Sequence, residues 1–479
     1  MSYPSSAKRT PEGAATQTAP QPETSTSAIR IPVRQRMPPG PEGLPFVGNL
    51  LQFQRDPLGF MRGLQRSYGD SATVHIGKRT MVAFFRPDDV HYFMTASSGS
   101  FAAAVGRDNM RVFLGDGLLT TDGDIHRQQR RLVQPAFHKK RVEGYGAIMT
   151  RHTEELLATW RPGQQVNIAH ALQELTLRIV VEGLFGVNLQ TESADLSRAF
   201  TAVIEDGNSF IGSLFTVDLP FTPYHKALEA SKLLDTFVYR LIAERRADTR
   251  DTGDVLSMLL ASHDEDGASM TDVQARDQAM TLIAAGHETT SNALTWTFYL
   301  LDQYPDVRRR LVAELASVLG GRTPRVDDLP NLPYLDWVIT ESMRMYPPAW
   351  IVGRTALVPF ERQGYEFPAG TRVMMSQWVM HHLPDIWGDP EVFRPDRWDP
   401  ARGEKVPQGA YYPFGMGTRM CIGMPFAQLE ARLVLATILQ RFTPQRLPDW
   451  PVRTLPRVTL RMRGGLPVTL AATSDGSRA

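Results

Sequence analysis

The chain holds a single cysteine, Cys421, in the run Phe414, Gly415, Met416, Gly417, Thr418, Arg419, Met420, Cys421, Ile422, Gly423. Taken bare, a lone cysteine is a small buried hydrophobe. Its surroundings here suit a metal-binding thiolate, which needs its charge stabilised by something other than a proton. A helix N-terminus supplies amide groups and partial positive charge for that purpose, and the apolar periodicity after Cys421 predicts a helix from near that residue to about Leu439. Gly415, Gly417 and Gly423 would let backbone approach a flat macrocycle, and Phe414 could pack beside the sulfur. A second run, Ala285, Gly286, His287, Glu288, Thr289, Thr290, sits mid-way along a predicted helix although glycine and paired threonines form helix poorly. Close packing at the glycine and a threonine bonded back to a carbonyl would explain it structurally, and a local functional distortion would explain it equally. Glu341 and Arg344, three apart on another predicted helix, read by themselves as a solvated pair contributing ~0.2 to 0.5 kcal/mol.

The elements that must position these residues are mostly helical. Thr271 followed by Gln274 has the form of a capping box, with Met270 available as a hydrophobic staple, and the helix it opens runs to about Gln303, where Tyr304 and Pro305 close it. A second helix spans about Tyr334 to Met345 and ends at Pro347 and Pro348. Three hairpins are expected: Ala72 to Ile76 with Met81 to Phe85 around Gly77, one turning at Pro368, Ala369 and Gly370, and Arg457 to Met462 with Leu466 to Leu470 across Gly464 and Gly465. The fold class is therefore mainly α with small peripheral β-sheets.

Composition bounds the function. Hydrophobic residues make up 42% and charged residues 22%, ordinary globular usage. Fifty-two Lys and Arg against fifty-one Asp and Glu leave a formal charge of +1, which points away from a nucleic-acid partner. One cysteine excludes an intramolecular disulfide and suits a reducing compartment. No run of ~20 apolar residues and no secretory leader is present, so no membrane anchor is expected and the localisation is read as cytoplasmic. Residues 1–36, rich in Pro, Ser, Thr and Ala, are read as a disordered tail, and residues 37–479 as one domain.

With its motifs assembled, the chain resembles the cytochrome P-450 superfamily. Phe-x-x-Gly-x-Arg-x-Cys-x-Gly is similar to that family's haem-binding signature, and a chance match of five fixed residues in this length is on the order of one in ten thousand. Glu341-x-x-Arg344 is similar to its helix motif, and Arg397, in a segment with Pro390, Phe393, Pro395 and Trp398, looks like the third member of its buried ion-pair network. The resemblance covers residues 38 to 479 and implies a mainly helical domain around one haem b, with Cys421 as the axial thiolate. It implies that the backbone opens beside the haem at Ala285 and Gly286 to admit oxygen. Cleaving the O–O bond consumes two protons, and Thr289 followed by Glu288 would deliver them, while His287 remains a packing residue. It further implies that His126, Arg130, Arg354 and Arg419 contact the haem propionates. Family members often carry Trp at the position of His126.

The implied reaction is insertion of one oxygen atom of O2 into an apolar small molecule, a fatty acid, terpenoid or steroid-like compound. Electrons would come from a separate ferredoxin or flavodoxin with its NAD(P)H reductase, since no flavin or iron–sulfur domain is fused. Arg127, Arg131, Lys139, Lys140 and Arg141 form a local basic cluster suited to docking such a partner. Phe101, Val105, Met110, Phe113, Phe210, Ile211, Leu214, Phe215, Ile351 and Val352 are expected to line the substrate pocket, with ordinary core as the competing reading of each. Two other activities compete with a monooxygenase. A peroxide-rearranging isomerase or peroxygenase would tend to lack the Glu288 and Thr289 pair, and a gas sensor would need no relay and would carry a signalling domain.

Overall fold

A computed structural model describes residues 37–77, 79–96, 99–103, 107–189, 192–206, 218–220, 222–248, 254–262 and 269–473. The expected tail, Val105, Phe210, Ile211, Leu214 and Phe215 lie outside these residues.

The organising element is the helix Asp272–Gln303, buried over most of its length. Its start is the expected capping box: the Gln274 amide donates to Thr271 Oγ1 at 3.2 Å, and the Thr271 amide donates to Gln274 Oε1 at 2.9 Å. Its end is set by Pro305, which opens the next helix, Pro305–Leu319. Around it pack the helices Ile168–Phe185, Pro223–Ala247, Pro333–Met345 and Met424–Leu439. The expected helix from Tyr334 therefore starts one residue earlier. The one expected near Cys421 starts at Met424, with Pro425 in its first turn.

Five short strands form one sheet in the order Ser71–Ile76, Arg79–Phe84, Arg372–Met375, Val352–Ala356, Phe101–Ala103. Its first pair is the expected hairpin around Gly77, in the register Ser71 to Phe84. The other two expected hairpins are corrected. Tyr365–Phe367 pairs back onto Phe360–Arg362, and after the Pro368 to Gly370 turn the chain joins the five-stranded sheet. Leu460–Met462 pairs with Thr454–Pro456, whereas Pro467–Ala472 pairs with Gln165–Asn167 and Phe442–Arg446. At Gly464 and Gly465 the Asn167 side chain holds the turn, donating to the Gly464 carbonyl at 3.0 Å and accepting from the Leu466 amide at 3.1 Å. That grip redirects the chain into a different sheet.

Candidate active site

Cys421 lies three residues before the first helical residue, Met424. Its amide donates to the Phe414 carbonyl at 2.9 Å, which closes the 414 to 421 segment into a loop. Gly415 and Gly417 sit at φ 70° and 65°, and a Cβ on Gly417 would stand 2.3 Å from the Met94 carbonyl oxygen. Gly417 is thus required by packing against the helix Pro87–Thr95, while a Cβ on Gly423 would come only as near as 3.9 Å to the Cys421 sulfur. Burial pushes the Cys421 thiol above its ordinary range, opposed by the amides of Gly423 and Met424 and by the charge of Arg130. The thiol is deep within the protein yet solvent-accessible, as a group lining an interior recess would be. Along the central helix, Ala285 is exposed although Ala275 to Ala284 are all buried.

Cations gather near this loop. Arg419 donates to the Leu118 carbonyl at 3.2 Å, to the Thr121 carbonyl, and to Asp122 Oδ1 at 2.5 Å. Arg130, one turn after the buried His126 on the helix Gly123–Val133, donates to the Met420 carbonyl at 2.9 Å. Arg354 is 8% exposed and, among the described residues, has no carboxylate within ion-pair distance. Among the described residues it donates to the Gly353 carbonyl and the Met94 sulfur. Burial and repulsion from Arg419 push its guanidinium down to about 10. A buried guanidinium without a carboxylate partner is costly unless an anion completes it. This group is therefore fitted to an acidic cofactor.

The central helix runs continuously through Gly286, so the local opening expected there is not seen. Gly286 serves close packing: a Cβ would lie 2.9 Å from Val180 of the neighbouring helix. Thr289 Oγ1 donates back to the Ala285 carbonyl at 2.7 Å, Thr290 Oγ1 to the Gly286 carbonyl at 3.1 Å, and Thr176 Oγ1 to the His287 carbonyl at 2.9 Å. His287 is buried against Phe200, its Nδ1 2.8 Å from the Ile283 carbonyl, and burial pushes it down to about 4, so it is neutral. Glu288 is 1% exposed, and burial pushes its carboxyl above the ordinary range while Arg461 and Thr459 pull against that.

Glu341, Arg344 and Arg397 do come together. Arg344 meets Glu341 through two hydrogen bonds of 2.9 Å, and Arg397 Nε reaches Glu341 Oε1 at 3.1 Å. Trp398 Nε1 and the Arg394 amide also donate to the same carboxylate, at 2.9 and 3.2 Å. Both guanidinium groups lie over the Trp387 ring.

This helix pair, the cysteine loop and the central helix decide the family together with the sequence match, in which the cytochrome P450 profile covers residues 38–461. The chain is a cytochrome P450. Cyclooctatin synthase of Streptomyces melanosporofaciens is 35% identical to this P450, over 88% of the chain and 92% of the relative. Pentalenene oxygenase of Streptomyces avermitilis is 34% identical, over 91% and 97%. A retinoic acid-bound cyanobacterial structure, CYP120A1, superposes with a TM-score of 0.83 at 28% identity, covering 91% of this chain and 99% of that one. Membership makes the protein an oxygen-incorporating oxidoreductase that uses a haem-thiolate cofactor, O2 and a redox partner. Among the described residues no helix of this P450 is long and apolar enough to cross a membrane.

The expected pocket residues that are described pack on different apolar clusters. Phe101 belongs to an aromatic core with Tyr92, Phe93 and Phe360, and Val352 packs on that same core. Ile351 packs on a second cluster with Trp350 and Leu460. Phe113 and Met110 belong with the main core, Phe113 against Tyr224. Sequence reasoning passed over Thr459 and Arg461 beside Glu288, Asp122 beside Arg419, and the buried Glu430. Arg461 carried a signal: it is a charge between Leu460 and Met462 in a strand whose three residues are all buried.

Proposed function

We propose that this P450 is a terpenoid monooxygenase that uses haem b held by Cys421 and inserts one oxygen atom of O2 into an apolar isoprenoid hydrocarbon or alcohol. The observation that carries the substrate class is the company the chain keeps: cyclooctatin synthase, cyclooctat-9-en-7-ol 5-monooxygenase and pentalenene oxygenase are relatives at 34 to 35% identity over most of their length. The bound haem would supply oxygen activation, and the protein sets ligand, protonation and pose. Cys421 would ligate the iron, helped by the Gly423 and Met424 amides that favour its thiolate. Arg354, Arg419, Arg130 and His126 would hold the two propionates. Thr289, half-buried mid-helix, would hold a proton at its Oγ1, with Glu288 as the acid that replenishes it. Electrons would arrive from a separate ferredoxin or flavodoxin in the cytoplasm.

The experiment is a spin-state titration of the haem-loaded protein with cyclic diterpenes, sesquiterpenes, fatty acids and steroids, followed by product analysis with a surrogate ferredoxin system. The reading expects a substrate-induced shift and a hydroxylated product with a cyclic terpene. A shift and turnover confined to fatty acids would replace the substrate class. For the relay, Thr289→Ala is expected to retain haem and reductant consumption while diverting oxygen to hydrogen peroxide.

A further inference from the structure

Glu288 is held from outside its own helix. Its Oε1 accepts from Thr459 Oγ1, which in turn accepts from Asn292 Nδ2 at 3.1 Å, and Arg461 Nε stands 3.0 Å from the same oxygen. Among the described residues the second oxygen, Oε2, is buried with no hydrogen-bond partner. Oε1 is thus held by the Thr459 hydroxyl and by the charge of Arg461, whose Nε makes no hydrogen bond among the described residues. Arg461 also pairs with Glu205 on the helix Ser193–Asp206 and donates to Thr201 Oγ1 at 3.3 Å. Its side chain is 7% exposed, that of Glu288 2%, and that of Glu205 33%. A single buried guanidinium is therefore shared between a buried carboxylate on the central helix and a carboxylate that reaches solvent.

We propose that Arg461 is a positioning residue for proton delivery, fixing Glu288 through Oε1 and tying it to Glu205 on the Ser193–Asp206 helix. This rests on the reading of Glu288 as the relay acid. Arg461 is not itself a relay, because a guanidinium does not give up its proton in a protein. Its action is electrostatic: it offsets the desolvation that favours neutral Glu288, and Glu205 diverts part of that offset. The charged and titratable groups facing Glu288 are Arg461 from the strand and Glu205 from the Ser193–Asp206 helix. His287 on its own helix is neutral, and Glu430 on the Met424–Leu439 helix is buried near Thr290, with neither oxygen hydrogen-bonded among the described residues. The arrangement fixes opposite signs for two substitutions. Removing Arg461 disfavours the Glu288 carboxylate, and removing Glu205 favours it.

The test uses full-length, haem-loaded protein and an infrared titration of the protonated Glu288 carboxyl, assigned by its loss in E288Q. In R461Q the band should persist to a pH higher than in the parent by on the order of one unit. In E205Q it should vanish at a lower pH, and R461K should return close to the parent. Product formed per reductant consumed should fall several-fold in R461Q and be largely restored in R461K. Unchanged titration in all three variants, or R461Q and E205Q shifting the same way, would overturn the proposal and leave Arg461 a packing ion pair. If R461Q does not fold, E205Q alone keeps the test: a shift to higher pH, or none, would overturn the proposal. If E288Q leaves coupling untouched while the band shifts occur as expected, Arg461 controls Glu288 but the relay reading fails.

Discussion

Arg344 and Glu341 face each other with no exposed surface on either side chain, joined by two hydrogen bonds of 2.9 Å. The pair is neutral as a unit, and three further donors, from Arg397, Trp398 and the Arg394 amide, fill the carboxylate. Such a network tolerates no missing member, because desolvated charge left alone is far costlier than the pair is stabilising. Arg344→Leu is expected to destabilise the protein by about 3 to 5 kcal/mol, seen as loss of folded yield or a large drop in urea midpoint. Substitution of Arg309, whose ion pair with Asp306 lies on the exposed surface, should change the midpoint little.

Acid sensitivity follows from histidines that fold in the neutral form. His287 is pushed from 6.5 down to about 4 and His382 to about 3, both by burial. Below pH 6.5 the unfolded chain takes up protons that these sites refuse, so their contribution to stability is complete above 6.5 and is lost as pH falls toward their folded values. For His287 alone this amounts to about 3 kcal/mol between neutral pH and pH 4. Denaturation of parent and His287→Phe across pH 4 to 7 should show a shallower pH slope in the variant. Parallel slopes would mean that His287 is not buried neutral.

Arg354 makes a separate prediction about cofactor retention. Its guanidinium has no protein carboxylate within ion-pair distance among the described residues, and a charge-assisted bond to a propionate would stabilise haem by roughly 1.5 to 3 kcal/mol. Arg354→Gln should therefore speed haem transfer to an acceptor apoprotein by about tenfold or more. An unchanged transfer rate would remove Arg354 from the cofactor contacts.

Much of the site was legible from short-range rules. The capping box at Thr271 and Gln274 and the hairpin at Gly77 are local, and local chemistry decided them. Strand partners are another matter. Alternation announces that Leu466 to Leu470 is a strand, but pairing with Gln165–Asn167 and Phe442–Arg446 depends on contacts distant in sequence, including the Asn167 side chain at the Gly464 turn. The same limit hid Arg461. Its oddity as a charge among buried residues was visible, but its partners, Glu288 and Glu205, sit on elements 173 and 256 positions away. Of the expected pocket residues that are described, Phe101 and Val352, Phe113 and Met110, and Ile351 pack on three different clusters, and apolar side chains carry no label that distinguishes core from lining.

Partner docking can be tested on the basic cluster. Part of it is internally neutralised, since Arg127 pairs with Asp124 and Lys139 lies 3.8 Å from Glu143. Lys140 is exposed. Surface charge of this kind governs encounter rate and is screened over ~8 Å at physiological salt. Haem reduction by a surrogate ferredoxin or flavodoxin should slow with added salt, and should slow at low salt when Arg127, Arg131 and Lys140 are changed to Glu. A salt-independent rate untouched by the charge reversal would place docking elsewhere.

The reduced, carbon monoxide-bound spectrum measures directly whether Cys421 is the axial thiolate. The parent should show the red-shifted Soret band of thiolate ligation, and Cys421→Ala, which removes the chain's single cysteine, should lose it. Persistence of the red-shifted band in the alanine variant, or its absence from the haem-loaded parent, would contradict the assignment.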